Sequence, residues 1–153
     1  FTYTTEYGSI TFKKASKLWL TNVEGLSDID ITISTTQGAG QTGVTISNMS
    51  LPARPITLNG VILSNVEPTR RNILDIFAPA VLGDLSITDR GETWIITATC
   101  TTTPIFSDGD YSQEFQIPLT APYPLLKSSQ TQTTALSGIK PLFKFPFYTG
   151  GEW

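Results

Sequence analysis

The stretch Ala53-Arg-Pro-Ile-Thr-Leu-Asn-Gly-Val-Ile-Leu63 decides the fold class of this chain. Three apolar residues fall on one face of it: Ile56, Leu58 and Ile62. Apolar residues at every second position are typical of a strand with one face on a core. Pro55 has no N–H to donate to a neighbouring strand, so we expect it near the start of this strand or on an edge of the sheet. Gly60, which has no side chain to pack, predicts a bulge or another backbone lying close.

One segment after this strand has helical rather than strand periodicity. Pro68 suits a first helical turn, where its missing N–H costs nothing. Ile73, Leu74 and Phe77 then form a narrow apolar stripe, which predicts a short helix over Pro68–Phe77 that lies on the sheet. We expect Leu74 to be a core residue.

Period-two patterns elsewhere predict strands on both sides of the helix. Ile29, Ile31 and Ile33 alternate with polar residues, which predicts a half-buried strand. The segment 36–43, with three glycines, predicts a hairpin tip. A phosphate-binding loop would need a Gly-Lys-Ser/Thr ending and a following helix, and both are missing. Phe115 belongs to the last clear strand, 112–120, and is expected in the core.

These patterns predict a mainly β protein, a β-barrel or sandwich with one short α-helix and an extended C-terminal arm. We assign residues 1–124 to one β domain and 125–153 to a linker or strap that ends in an apolar arm. Three phenylalanines recur at period two in that arm: Phe143, Phe145 and Phe147. Two nearby prolines confine it to an edge or an extended segment. It needs an apolar surface to lie against, so these phenylalanines are our candidates for a subunit or partner contact.

The composition argues against several function classes. The chain has no histidine, one cysteine and a net charge of −3. Because the chain lacks histidine and has a single cysteine, histidine-based catalysis and zinc sites of the Cys/His type are excluded. We therefore expect no enzyme activity, metal or cofactor. Cys100 alternates with Trp94, Ile96 and Ala98, which predicts a buried, inert thiol. Tight nucleic-acid binding would need clustered cations, and no apolar run is long enough for a membrane span.

An ordered set of segments resembles the distal tail protein family of long-tailed bacteriophages. The segments follow in this order: 20–25 (Leu-Thr-Asn-Val-Glu-Gly), the glycine-rich loop, 54–60 (Arg-Pro-Ile-Thr-Leu-Asn-Gly), 73–79 (Ile-Leu-Asp-Ile-Phe-Ala-Pro), 115–123 (Phe-Gln-Ile-Pro-Leu-Thr-Ala-Pro-Tyr) and 141–147 (Pro-Leu-Phe-Lys-Phe-Pro-Phe). Each segment alone has a sequence that is common in strands or helices. The resemblance depends on the order and spacing of the segments, and it covers nearly the whole chain.

The resemblance implies a virion protein whose first domain closes into a ring of six copies around a central channel. Such a ring joins the tail tube protein to the tail hub or fibre protein, and DNA passes through its channel. The family often carries a second domain, which would begin where this chain stops at Trp153. A fragment and a short family member are both open.

A carbohydrate-binding β-sandwich for host attachment is the alternative function. An exposed indole can stack on a sugar ring, and the chain has three tryptophans. Trp94 lies on a core-facing alternation, which leaves Trp19 and Trp153. Packing in a core or an interface is the commoner use of such residues.

Overall fold

The computed structural model describes residues 1–14, 16–27, 29–109 and 111–129. The arm with Phe143, Phe145 and Phe147 lies outside the described residues, as does Trp153. Within the described ranges the elements follow in this order: β1 (Thr2–Thr5), β2 (Gly8–Thr11), β3 (Leu18–Glu24), β4 (Thr32–Thr36), β5 (Thr45–Ser50), β6 (Arg54–Ile62), α1 (Val66–Ile76), β7 (Leu82–Asp89), β8 (Glu92–Cys100), β9 (Ile105–Phe106), β10 (Gln113–Ala121) and β11 (Lys127–Ser128). The protein is mainly β with one helix in these ranges, as predicted.

The strands form one large sheet and one small one. The 9-stranded sheet runs in the order β2-β1-β7-β8-β10-β6-β3, with β9 beside β10 and β11 beside β8. All of these named strands pair antiparallel. The strands β4 and β5 pair with each other as a separate antiparallel hairpin.

The large sheet curls around one apolar core. Phe12, just after the edge strand β2, packs against Phe115 of β10 with ring centroids 5.9 Å apart. The two residues are far apart in the strand order, so the sheet must bend to bring them together. Lys13 N–H also donates to the carbonyl of Leu18, at the start of the opposite edge strand. The predicted barrel or sandwich is therefore a sheet folded onto itself.

The central strand β6 is built as its sequence predicts. Its residues alternate between fully buried and half-buried or exposed from Arg54 to Ile62. Pro55 is the second residue, near the strand start. A Cβ on Gly60 would lie 2.5 Å from the Trp19 carbonyl oxygen, so the neighbouring backbone does approach closely there. The register of β3 shifts between Leu20 and Asn22, next to Gly60.

The helix differs from its prediction in its start and in its buried face. It begins at Val66 rather than Pro68, and Pro68 lies in the first turn. The buried residues are Ile73, Ile76 and Phe77, at the i, i+3, i+4 spacing of one helix face. Leu74 is half-buried, so its prediction as a core residue is wrong: it lies one position round the helix from that face.

The prediction of a half-buried strand over Ile29, Ile31 and Ile33 is also wrong. The strand β4 covers Thr32–Thr36, and all five of its residues are exposed. Ile29 and Ile31 precede the strand and are exposed as well. Alternation marks a strand with one apolar face, but it does not say whether the same chain covers that face. The glycine-rich segment is the hairpin tip between β4 and β5, as predicted.

Candidate assembly surface

The β4–β5 hairpin has all its apolar residues on one face. Ile33 lies directly opposite Met49, and Thr35 lies opposite Ile46. Residues opposite each other in an antiparallel pair point to the same side, and so do residues two apart on one strand. Val44 therefore continues this face at the tip. Ile31 and Leu51 continue it at the base, just beyond the strand ends. We call these six residues the hairpin face: Ile31, Ile33, Val44, Ile46, Met49 and Leu51.

A register shift between Ser34 and Thr35 is what unites this face. Met49 and Ile46 are three residues apart, so in a regular strand they would point to opposite sides. Ser47 is the extra residue in β5, and its hydroxyl donates to the carbonyl of Ser34 at 3.0 Å. The bulge resets the alternation, and Ile46 returns to the side of Met49. The opposite side of the hairpin is polar and carries Thr32, Ser34, Thr36, Thr45, Asn48 and Ser50.

The hairpin face is uncovered in the described part of the chain. Met49 is 59% exposed and Ile33 50% exposed, and the four other members of the face are exposed too. Among the described elements, β4 and β5 pack extensively only against each other. Every residue from 31 to 53 is uncharged. Exposed strand edges without a charge to block pairing associate readily, so a surface of this kind needs a partner.

Sequence reasoning placed the contact surface elsewhere. It selected Phe143, Phe145 and Phe147, which lie outside the described residues, and it assigned Ile33 to a half-buried strand. The signal that identifies the hairpin is the combination of two apolar alternating segments with a complete lack of charge from 31 to 53. Strands that stay exposed at a protein surface normally carry charged residues, which block pairing with other chains.

The start of the predicted strap is an added strand. Lys127 pairs with Ile95 and Ser128 with Trp94, which places β11 beside β8. Ser129 N–H also donates to the Thr93 carbonyl at 2.9 Å. From Lys127 to Ser129 the chain therefore runs beside β8.

The described residues include few groups that could bind a metal ion or act as a nucleophile. No group of three or more His, Cys, Asp or Glu among them could hold a metal ion. Cys100 is buried, as predicted. Its thiol donates to the Thr102 carbonyl oxygen, with 2.9 Å between Sγ and the oxygen. Burial raises the pKa of this thiol, which disfavours the reactive thiolate. In the described part of the chain, no helix is long and apolar enough to cross a membrane.

Two of the three tryptophans, Trp19 and Trp94, lie in the described part of the chain. Trp19 is half-buried in β3 and lies opposite Val61 in the register. Trp94 lies on the side of β8 that carries Ile96, as predicted, but it is 37% exposed because the core ends before this part of the strand. The two belong to strands at separate positions in the sheet order.

A search of solved structures identifies a protein with the same fold. The crystal structure of the Dit protein of phage SPP1, described as a paradigm of the hub adsorption apparatus in phages that infect Gram-positive bacteria, aligns with a TM-score of 0.60. The two sequences are 15% identical, and the alignment covers 82% of this chain and 51% of that one. The likeness shows that the fold is shared with Dit. This chain corresponds to about half the length of the SPP1 protein.

Two further comparisons gave no relative. No protein-family model matches the sequence, and the search of curated protein sequences found no match.

Proposed function

We propose that this protein is a structural component of a phage tail, located in the virion. In this proposal, copies of the chain form a closed ring, most simply of six, that joins the tail tube protein to the tail hub or fibre protein. DNA meets the ring only as it passes through the channel. The protein works through its subunit contacts and not through catalysis.

The fold shared with SPP1 Dit is the observation that carries the proposal. That protein is described as a paradigm of the hub adsorption apparatus in phages that infect Gram-positive bacteria. The order of sequence segments supports the same family independently of the three-dimensional comparison.

The hairpin face supports the self-association in this proposal. An exposed apolar face on a charge-free hairpin favours a permanently occupied interface over a free surface. Rings arise when two different surfaces of one chain meet head to tail and the rotation closes. A projecting hairpin supplies one such surface.

The proposal is tested by mass and by imaging over a range of concentrations. We expect mass photometry and sedimentation to give species several times the 16.7 kDa chain mass as the concentration rises. Negative-stain micrographs should then show rings with a central hole. Because neighbouring proteins would help to hold such a ring in a virion, dilute samples can dissociate, and the highest soluble concentration is the decisive one. A monomer at that concentration, without rings, contradicts the proposal.

Matched lysine variants connect assembly to the hairpin. Met49 lies on the hairpin face and Asn48 on the polar side. Met49→Lys should reduce the assembled mass to that of the single chain, because it buries an unpaired charge in the contact. Asn48→Lys adds the same charge at the adjacent position and should assemble normally. Both residues are exposed, so neither variant should change the thermal midpoint of the monomer by more than a few degrees.

A further inference from the structure

We infer that the hairpin face of one copy is covered by the Phe143–Phe147 segment of a neighbouring copy. This inference rests on the proposed function, since it names the two surfaces that meet in the assembly. It also assigns a partner to two parts of the chain: an apolar sheet face that the described residues leave uncovered, and an apolar arm whose sequence predicts that it needs a surface to lie against.

The spacing of the two parts matches. Alternate residues in an extended strand are about 6.6–6.8 Å apart. Phe143, Phe145 and Phe147 therefore present three rings over about 13 Å when extended. On the hairpin, Ile33 and Thr35 of β4 are separated by the same distance, and Ile31 directly precedes the strand. Phenylalanine rings laid over this row would also contact Met49 and Ile46 of the neighbouring strand β5, and Leu51 just after it.

The chemistry of the two parts also matches. The six residues of the hairpin face are all apolar, and the Thr35 hydroxyl is the one polar group beside them on that side of β4. In the arm, Lys144 alternates with the phenylalanines, so an extended arm turns it to the other side. Aromatic rings packed on aliphatic and methionine side chains bury large areas without any polar group to satisfy. Pro146 removes one N–H donor from the arm, which favours packing onto the face of a hairpin over pairing at its edge.

The chain is long enough to make this contact between copies. The last described residue, Ser129, is held beside Thr93 of β8. The chain from Ser129 to Phe143 can span up to about 45–50 Å. A domain of this size is roughly 35–40 Å across, so the arm can leave its own domain and reach a neighbour. A contact between an arm and a hairpin joins two different surfaces, which is the head-to-tail geometry that a ring requires.

Two full-length variants test the inference by complementation. Phe145→Asp damages the arm and keeps the hairpin, whereas Met49→Lys damages the hairpin and keeps the arm. We expect each variant alone to lose assembly, with association about tenfold weaker or more. Mixed in equal amounts, they should form a 1:1 complex of twice the 16.7 kDa chain mass, because one intact arm meets one intact hairpin and the chain of contacts stops there.

The control variant changes Lys144, which lies between two of the three phenylalanines of the arm. Lys144→Asp, next to Phe145 but on the other side of an extended arm, should assemble like the unmodified chain. Rings of Phe145→Asp equal to those of the unmodified protein would overturn the inference and leave the proposed function intact. Loss of assembly in both variants with no complex on mixing would overturn it as well, because the arm would then lie on its own domain. An unmodified chain that stays monomeric would instead overturn the proposed function.

Discussion

The ring of Tyr3 is stacked on the ring of Phe77, with centroids 4.3 Å apart and an interplanar angle of 6°. Tyr3 belongs to the N-terminal strand β1, which lies between β2 and β7, and Phe77 is the C-cap residue directly after the helix. The Tyr3 hydroxyl donates to the Ala98 carbonyl at 3.1 Å across the core. This side chain therefore ties the helix, the first strand and β8 together.

Two substitutions of Tyr3 should separate its packing from its hydrogen bond. Tyr3→Phe keeps the stacked ring and removes the hydroxyl, and we expect it to lower the free energy of unfolding by about 1 kcal/mol. Tyr3→Ala also leaves a cavity beside Phe77 and should cost about 3–5 kcal/mol. Urea denaturation followed by circular dichroism measures both. Equal losses in the two variants would mean that the ring contributes little.

Stability should fall in alkaline solution because of the same residue. Burial, and to a smaller extent Cys100 and Asp84, raises the pKa of Tyr3 from 10.0 to about 12. The folded protein holds this proton more tightly than the unfolded chain does, so the stabilisation is complete below pH 10 and is lost as the pH rises towards 12. The full loss is roughly 2–3 kcal/mol.

The Tyr3→Phe variant isolates this effect, because it lacks the titrating hydroxyl. The difference in unfolding free energy between the unmodified protein and Tyr3→Phe should shrink or change sign between pH 9 and pH 11.5. A difference that stays constant over this range would contradict the assignment to Tyr3.

Gly60 is expected to resist substitution because two neighbours occupy the space of a side chain. A Cβ there would lie 2.8 Å from Phe115 Cε1 and 2.5 Å from the Trp19 carbonyl oxygen. Gly60→Ala should therefore destabilise the protein by about 1–3 kcal/mol through overpacking. Gly38→Ala is the matched control, since its nearest neighbour is Gln41 Oε1 at 3.5 Å. Thermal unfolding of the two variants compares them directly, and equal midpoints would exclude the steric explanation.

The sequence predicts which residues form an apolar face more reliably than it predicts what covers that face. The alternation of Ile56, Leu58 and Ile62 identified β6, because the same chain covers that face. The alternation of Ile31 and Ile33 is just as regular, but it belongs to a hairpin whose apolar face is exposed in the described part of the chain. Local periodicity records that a face is apolar, whereas the identity of its cover depends on tertiary or quaternary contacts.

The helix shows a smaller error of the same kind. Four apolar residues occupy positions 73, 74, 76 and 77, and the sequence alone does not determine how the helix is rotated on the sheet. Ile76→Ala should cost about 2–5 kcal/mol, because its side chain is buried, whereas the half-buried Leu74→Ala should cost about 1 kcal/mol. Phe115→Ala, in the core as predicted, should cost about 3–5 kcal/mol. Chemical denaturation of the three variants gives the ranking, and a Leu74 loss equal to that of Ile76 would restore Leu74 to the core.

The bulge in β5 determines which residues of this strand lie on the hairpin face. A regular strand would place Ile46 and Thr45 on the opposite sides, so lysine variants at these two positions distinguish the two arrangements. With Ser47 as the extra residue, Ile46 lies on the side of Met49, and Thr45 lies on the polar side with Asn48. In a regular strand, Thr45 would share the side of Met49 and Ile46 would not. Ile46→Lys should therefore abolish assembly as Met49→Lys does, because both put a charge into the apolar contact, and Thr45→Lys should leave it unchanged. Sedimentation of the three variants at equal concentration measures this. Assembly lost in Thr45→Lys and kept in Ile46→Lys would show that the strand runs without the bulge and that the apolar residues of β5 are divided between its two sides.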